Sequence, residues 1–183
     1  AVVDEDNTAG WQTGDEKVIV AAWTSTGRGE CIAYSDDRGR TFTEFEGNPV
    51  VKHDGRDPKL IWYAPGKHWV MAVYDQQGDK PTIAFYSSKN LKDWKLESRR
   101  EGYFECPEIF QLPVDGNAND TRWVVFAADA QYALGKFDGR TFTPLHEGKY
   151  RVHYGQYYAS QTFSNAPDGR RIQIGWARID MPG

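Results

Sequence analysis

The 183-residue chain has only two cysteines, Cys31 and Cys106, far apart and in unlike surroundings. Two is too few for a disulfide framework, and neither belongs to a CxxC pair that would hold a metal. Apolar runs fall well short of the ~18 residues a membrane-crossing helix needs. The opening AVVDEDNTAG has no basic segment leading into an apolar one, so nothing reads as a membrane span or a signal peptide. Positive charge is also in deficit, with 22 Lys and Arg against 26 Asp and Glu, a net charge of −4. A nucleic-acid backbone demands a clustered cationic excess, so that class of partner is set aside for a neutral one. Helical periodicity is nearly missing as well.

Aromatic residues, by contrast, are plentiful. They make up 14% of the chain and include seven tryptophans, more than a one-domain core of this length requires. Some are therefore expected on a surface, where the apolar face of a sugar stacks on a ring and its hydroxyls find polar partners at the rim. Short runs rich in Val, Ile, Tyr, Phe and Trp recur between Gly, Asn and Asp turn signals, which predicts an all-β fold.

Self-comparison sharpens that reading. The segments IAYSDDRGRTFTEF (32–45), IAFYSSKNLKDWKLES (83–98) and ALGKFDGRTFTPL (133–145) each read as strand, polar turn, aromatic, strand. The turn aromatics Phe42, Trp94 and Phe142 return at roughly 50-residue intervals, and KVIVAAW, HWVMAVY and RWVVFAA precede the three hairpins. Four short strands in about 50 residues is the size of a β-propeller blade. The expected architecture is a propeller of four-stranded antiparallel blades, with approximate blades at 1–50, 51–100 and 101–150 and a partial one at 151–183. The partial blade, YYASQTFSNAPDGRRIQIGWAR (157–178), lacks a second hairpin, and Ala1-Val2-Val3 reads as a strand already under way. The chain is thus expected to be an arc cut from a longer propeller, with missing blades or a second copy of the chain covering its open faces. A β-sandwich is the rival fold, but it gives no reason for an aromatic to return at blade intervals. Ser35-Asp36-Asp37-Arg38-Gly39-Arg40-Thr41-Phe42 fits the SxDxGxTF Asp-box turn, a structural hairpin of blade peripheries in which the aromatic packs beneath the turn.

Propeller sites form at one end of the axis, where the innermost strands begin. The second repeat opens with Gly55-Arg56-Asp57-Pro58 and the third with Phe104-Glu105-Cys106-Pro107. Charged groups near a crowded, partly dry axis are costly unless paired or functional. Two carboxylates from adjacent blades could converge there. Equally, Asp57 could pair with Arg56 or accept turn hydrogen bonds, and Glu105 could be a solvated strand end.

RDP and ECP in this order and spacing resemble glycoside hydrolase family 32, which includes invertases, inulinases and levanases. AVVDEDNTAG, YSDDRGRTF, EGNPVV, GRDPK, ECPEIF, YYASQTF and RIQIGWAR are similar to family segments in family order, across essentially the whole chain. The resemblance implies a five-bladed propeller, usually followed by a β-sandwich, and a retaining reaction on β-fructosides such as levan, inulin or sucrose, with no cofactor and no metal. It makes Asp57 the transition-state stabiliser, with Arg56 orienting the sugar and holding Asp57 ionised. Glu105 would be the general acid/base, a role that needs a raised pKa, with Cys106 packing beside it. Tyr158 resembles a family tyrosine near the nucleophile, and Gln161 the glutamine of the family's YAxQ segment. Trp176 reads equally as pocket wall or blade packing. His153 stands where the family often has Asp and reads chiefly as structural.

The retaining route also needs a third carboxylate, roughly 5–5.5 Å from the acid/base, which the family carries in a WMNDPNG-like motif. That motif is absent here, and Asp4 and Asp6 match a segment that follows it. Activity is therefore in doubt, and a non-catalytic carbohydrate-binding or oligomerising propeller fragment is the alternative. A sialidase would require a cluster of arginines that Arg56 alone does not supply.

Overall fold

The computed structural model describes residues 1–177; Arg178, the last residue of the partial fourth repeat, lies outside them. The strands form a succession of antiparallel meanders in which sequence neighbours are sheet neighbours. The first sheet holds β1 (Val2–Asp4), β2 (Val18–Ser25), β3 (Gly29–Ser35) and β4 (Thr43–Glu44), and the second holds β5 (Arg56–Tyr63), β6 (His68–Gln77), β7 (Lys80–Ser88) and β8 (Lys95–Glu101). The third holds β9 (Glu108–Val114), β10 (Asn117–Phe126), β11 (Gln131–Phe137) and β12 (Phe142–Pro144), with the short β13 (Tyr150–Arg151) also on β11. A two-stranded sheet of β14 (Tyr157–Phe163) and β15 (Ile172–Ala177) follows. The only helical element among the described residues is a 3₁₀ turn, Ala64–Gly66. Blade-sized sheets of four antiparallel strands are thus what the repeats encode.

The second sheet shows why its strands read as continuous apolar runs. Trp69, Met71 and Val73 of β6 face one core cluster with Val18, Val20 and Ile32 of the first sheet. Val70 and Ala72 face the opposite way, into a second cluster with Ile109, Val125, Ala133 and Phe137 of the third sheet. Side chains alternate across a strand, so a sheet buried on both faces needs apolar residues at every position. Each of the larger of these side chains, the Val, Ile, Met and Phe, contributes on the order of 1.5–3 kcal/mol when fully buried. The start of β2 alternates instead, with Val18 and Val20 buried and Ile19 only partly so. Trp62, Trp69, Trp94 and Trp123 all pack in these two clusters.

The polar turns repeat as physical units. Asp37 Oδ1 accepts the N–H groups of Arg40 and Thr41, both at 2.9 Å, and the Ser35 hydroxyl at 2.7 Å. In the same place Asn90 Oδ1 accepts from Lys92 and Asp93, and Asp138 Oδ1 from Arg140 and Thr141. The aromatics differ. Phe142 is 4% exposed but Phe42 is 46% exposed.

Candidate active site

Three strand starts from three sheets meet at one end of the arc. Arg56 and Asp57 open β5, Glu105 and Cys106 stand just before β9, and Tyr158 and Ala159 open β14. Asp57, Glu105, Cys106 and Ala159 all take positive φ, at 66°, 52°, 43° and 50°. For residues with a Cβ that conformation is costly, and it persists where surrounding structure enforces it. Two of the four lie in register breaks, between Arg56 and Lys59 in β5 and between Tyr158 and Gln161 in β14. A bulge turns successive side chains off the strict alternation and aims them at the cleft. Gly55 is obligatory for its own reason, since a Cβ there would sit 2.0 Å from the Tyr74 carbonyl oxygen. Ala128 ties the sheets together. Its N–H donates to the Phe104 and Glu105 carbonyls at 3.1 and 3.0 Å, and its carbonyl accepts from Ala159 N at 3.0 Å.

The polar groups converge on Glu105. Arg56 Nε donates to Glu105 Oε1 at 3.0 Å, a second guanidinium nitrogen bonds the same oxygen, and the Tyr158 hydroxyl donates to Oε2. Arg56 Nε lies 4.0 Å from Asp57 Oδ2, so one guanidinium spans two carboxylates. The Glu105 hydrogen bond raises the Arg56 pKa above its ordinary value. Beneath it the Tyr74 ring lies 4.9 Å from the guanidinium carbon, itself edge-on to Phe104. This cation–π contact and the fork of donors hold Arg56 in place. Asp57 Oδ2 accepts the Cys106 N–H at 3.0 Å and the thiol at 3.6 Å. Burial, and then the Asp57 carboxylate, pushes the Cys106 thiol up to about 12. Cys106 is a donor to Asp57 and no thiolate nucleophile at neutral pH.

These residues line an open cleft of about 490 Å³ with Arg56, Asp57, Phe104, Glu105, Cys106, Tyr158, Ala159 and Trp176 around it. The Arg56 and Asp57 side chains remain 43% and 30% exposed, so a ligand can reach them. Trp176 is 64% exposed and tilts against Tyr158 at 6.2 Å, on the cleft wall rather than in a core. Gln161 is elsewhere: past the bulge it lines a separate cavity with Val3, Lys59 and Asn165. His153 is exposed, its Nδ1 accepting from Gly155 N at 2.9 Å and its ring beside Tyr157. Arg56 engages Glu105 more closely than Asp57, which adjacency in the sequence does not suggest. Tyr74 and Phe104 were not legible as site residues, because each reads as an ordinary apolar position of a buried strand or its flank. Asp4 is buried, taken up by Thr8 and Ala9, and outside the cleft. The described residues thus bring two carboxylates into the cleft.

A succession of four-stranded antiparallel sheets whose strand starts meet at one cleft is the architecture of a β-propeller. Residues 1–181 match the Glycosyl hydrolases family 32 N-terminal domain, and the chain belongs to that family. It is 40% identical to a levanase of Bacillus subtilis and 38% identical to invertase 1 of Saccharomyces cerevisiae, each over 96% of this chain. It covers 30% and 38% of those two proteins, and so spans roughly a third of their length. The fold superposes with a TM-score of 0.81 on a Schwanniomyces occidentalis β-fructofuranosidase complexed with fructosyl-erythritol, at 32% identity over 96% of this chain and 38% of that one. An exo-inulinase from Aspergillus awamori gives a TM-score of 0.83 at 28% identity, over 96% of this chain and 44% of that one. The chain is therefore part of a five-bladed family 32 propeller.

Proposed function

We propose that this chain forms part of the catalytic propeller of a retaining β-fructosidase acting on levan, inulin or sucrose, with Glu105 as acid/base and Asp57 as transition-state stabiliser. The observation that carries the reading is the single Arg56 guanidinium spanning the Glu105 and Asp57 carboxylates in a cleft walled by Tyr158 and Trp176. In this reading Glu105 gives its proton to the leaving oxygen as the glycosidic bond breaks. A third carboxylate forms the fructosyl ester, and Glu105 then takes a proton from the water that hydrolyses it. Asp57 supplies negative charge as the anomeric carbon becomes cationic. To act as an acid, Glu105 must carry a proton on an oxygen that Arg56 or Tyr158 now occupies. A sugar that draws Arg56 onto its own hydroxyls frees that oxygen.

The third carboxylate is not among the described cleft residues, and the WMNDPNG-like motif that supplies it in the family is not in the sequence. The open cleft with its two carboxylates and exposed Trp176 wall also suits a second reading, a propeller segment that binds sugar without cleaving it. Reducing-sugar release from levan, inulin and sucrose separates the two, measured on the chain alone and on the chain fused to a blade bearing a WMNDPNG-type motif. Hydrolysis by the fusion, abolished by Glu105→Gln, is expected. A folded fusion that binds fructose but releases no sugar would leave the binding reading standing.

A further inference from the structure

Behind Asp57 lies a buried polar relay that takes no part in the chemistry described so far. Glu30 in β3 is wholly buried, yet it carries a carboxylate. Its cross-strand neighbour is Thr24 in β2, whose hydroxyl lies 3.0 and 3.2 Å from the two Glu30 oxygens. The same Thr24 oxygen accepts the backbone N–H of Asp57 at 2.9 Å. On its other side Glu30 Oε1 meets His53 Nε2 at 2.9 Å, and His53 Nδ1 accepts from Gly55 N at 3.2 Å. With Nδ1 an acceptor, His53 donates through Nε2 to Glu30. A hydroxyl has one proton, and Glu30 takes it. The Thr24 lone pair is thereby turned toward Asp57, the residue whose backbone stands at φ 66°.

We infer that Glu30 and Thr24 are positioning residues that lock the left-handed backbone of Asp57 and so aim its carboxylate into the cleft. A buried, acceptor-only carboxylate is costly to keep unless its partners must be oriented. Here the orientation ends at a residue whose conformation is unfavourable without support. One carboxylate oxygen of Asp57 is already held by Cys106. Among the described residues no protein donor reaches the other, which is the oxygen a ligand hydroxyl would use. His53 and Gly55 close the relay on the residue before Arg56, so both cleft residues of the RDP segment are braced from behind.

This inference rests on reading Asp57 as the carboxylate that meets the sugar, but its geometry is testable without turnover. The experiment is NMR on the labelled chain and its Thr24→Val, Thr24→Ser and Glu30→Gln variants, following Asp57 amide hydrogen exchange, the Asp57 carboxyl ¹³C shift and titration with fructose. Thr24→Val is expected to speed Asp57 exchange about tenfold, the order of effect of one lost hydrogen bond, to move the carboxyl shift, and to weaken fructose binding similarly. Amides of Val124 and Val125 in the third sheet should not move, and Thr24→Ser should restore Asp57. If Thr24→Val does not fold, Glu30→Gln against Thr24→Ser makes the same comparison with smaller change of shape. Asp57 exchange and carboxyl shift unchanged in folded Thr24→Val or Glu30→Gln overturns the inference. A wild-type chain that fails to bind fructose overturns the sugar-site reading instead, and the Asp57 exchange data still decide the relay.

Discussion

Lys59→Met should be among the most damaging single substitutions close to the cleft. Lys59 lies two residues past Asp57 on β5, and its ammonium meets Glu108 Oε1 at 2.7 Å. Glu108 is fully buried, and Oε1 has no hydrogen-bond donor besides that ammonium among the described residues. Its other oxygen accepts from Thr162 in β14, so the pair joins the second, third and last sheets. Removing one partner of a buried ion pair leaves an uncompensated charge, which costs about 3–5 kcal/mol. For a domain of this size each kcal/mol is worth about 2–4 °C, so the melting temperature followed by circular dichroism should fall by roughly 6–20 °C. The double variant Lys59→Met/Glu108→Leu removes the stranded charge and should recover part of that loss. What remains is Thr162, whose hydroxyl loses its Glu108 acceptor and whose carbonyl loses the Lys59 donor at 3.2 Å, about 1–3 kcal/mol for a group left unsatisfied. A single variant melting within about 2 °C of wild type, or a double variant no better than the single, would refute this account.

Two further outcomes follow from the titrating groups. Because burial and the Asp57 carboxylate push the Cys106 thiol to about 12, its alkylation by iodoacetamide, read by peptide mass spectrometry, should still be climbing at about pH 10. An unperturbed thiol would be half ionised at its ordinary ~8.5 and level off about one unit above it. A plateau below pH 9.5 or so would contradict the buried donor role. The Thr41 N–H, then the Thr41 and Ser35 hydroxyls, hold the Asp37 carboxyl well below the usual carboxylate range. A depressed pKa contributes stability that is present above the unfolded value of about 3.9 and lost as pH falls below it. Asp37→Ala should therefore lower the melting temperature at pH 7 and make progressively less difference below about pH 4. An equal difference at pH 7 and pH 3 would show that the turn's hydrogen bonds are not what depends on the charge.

Much of the fold was legible because the blade is a local unit. Strand, Asx turn and hairpin are set by residues within about 50 positions of one another, and Asp37, Asn90 and Asp138 mark the same turn three times. Partnership within the cleft was not legible. Arg56 stands next to Asp57 in the chain but bonds Glu105, 49 residues away, and Tyr158 reaches the same carboxylate across 53 residues. Gln161, three residues past Tyr158, faces a different cavity because a bulge intervenes.

Taken by itself, the sequence determined the class of fold and the repeat that builds it, since both depend on local pattern and chain order, while the pair of carboxylates that open two successive blades was singled out by resemblance to the family. Only the tertiary structure decided which donor serves which oxygen. That choice turns on left-handed backbone at Asp57 and Glu105 and on two register breaks. Such features are enforced by contacts between blades, and no stretch of residues encodes them alone.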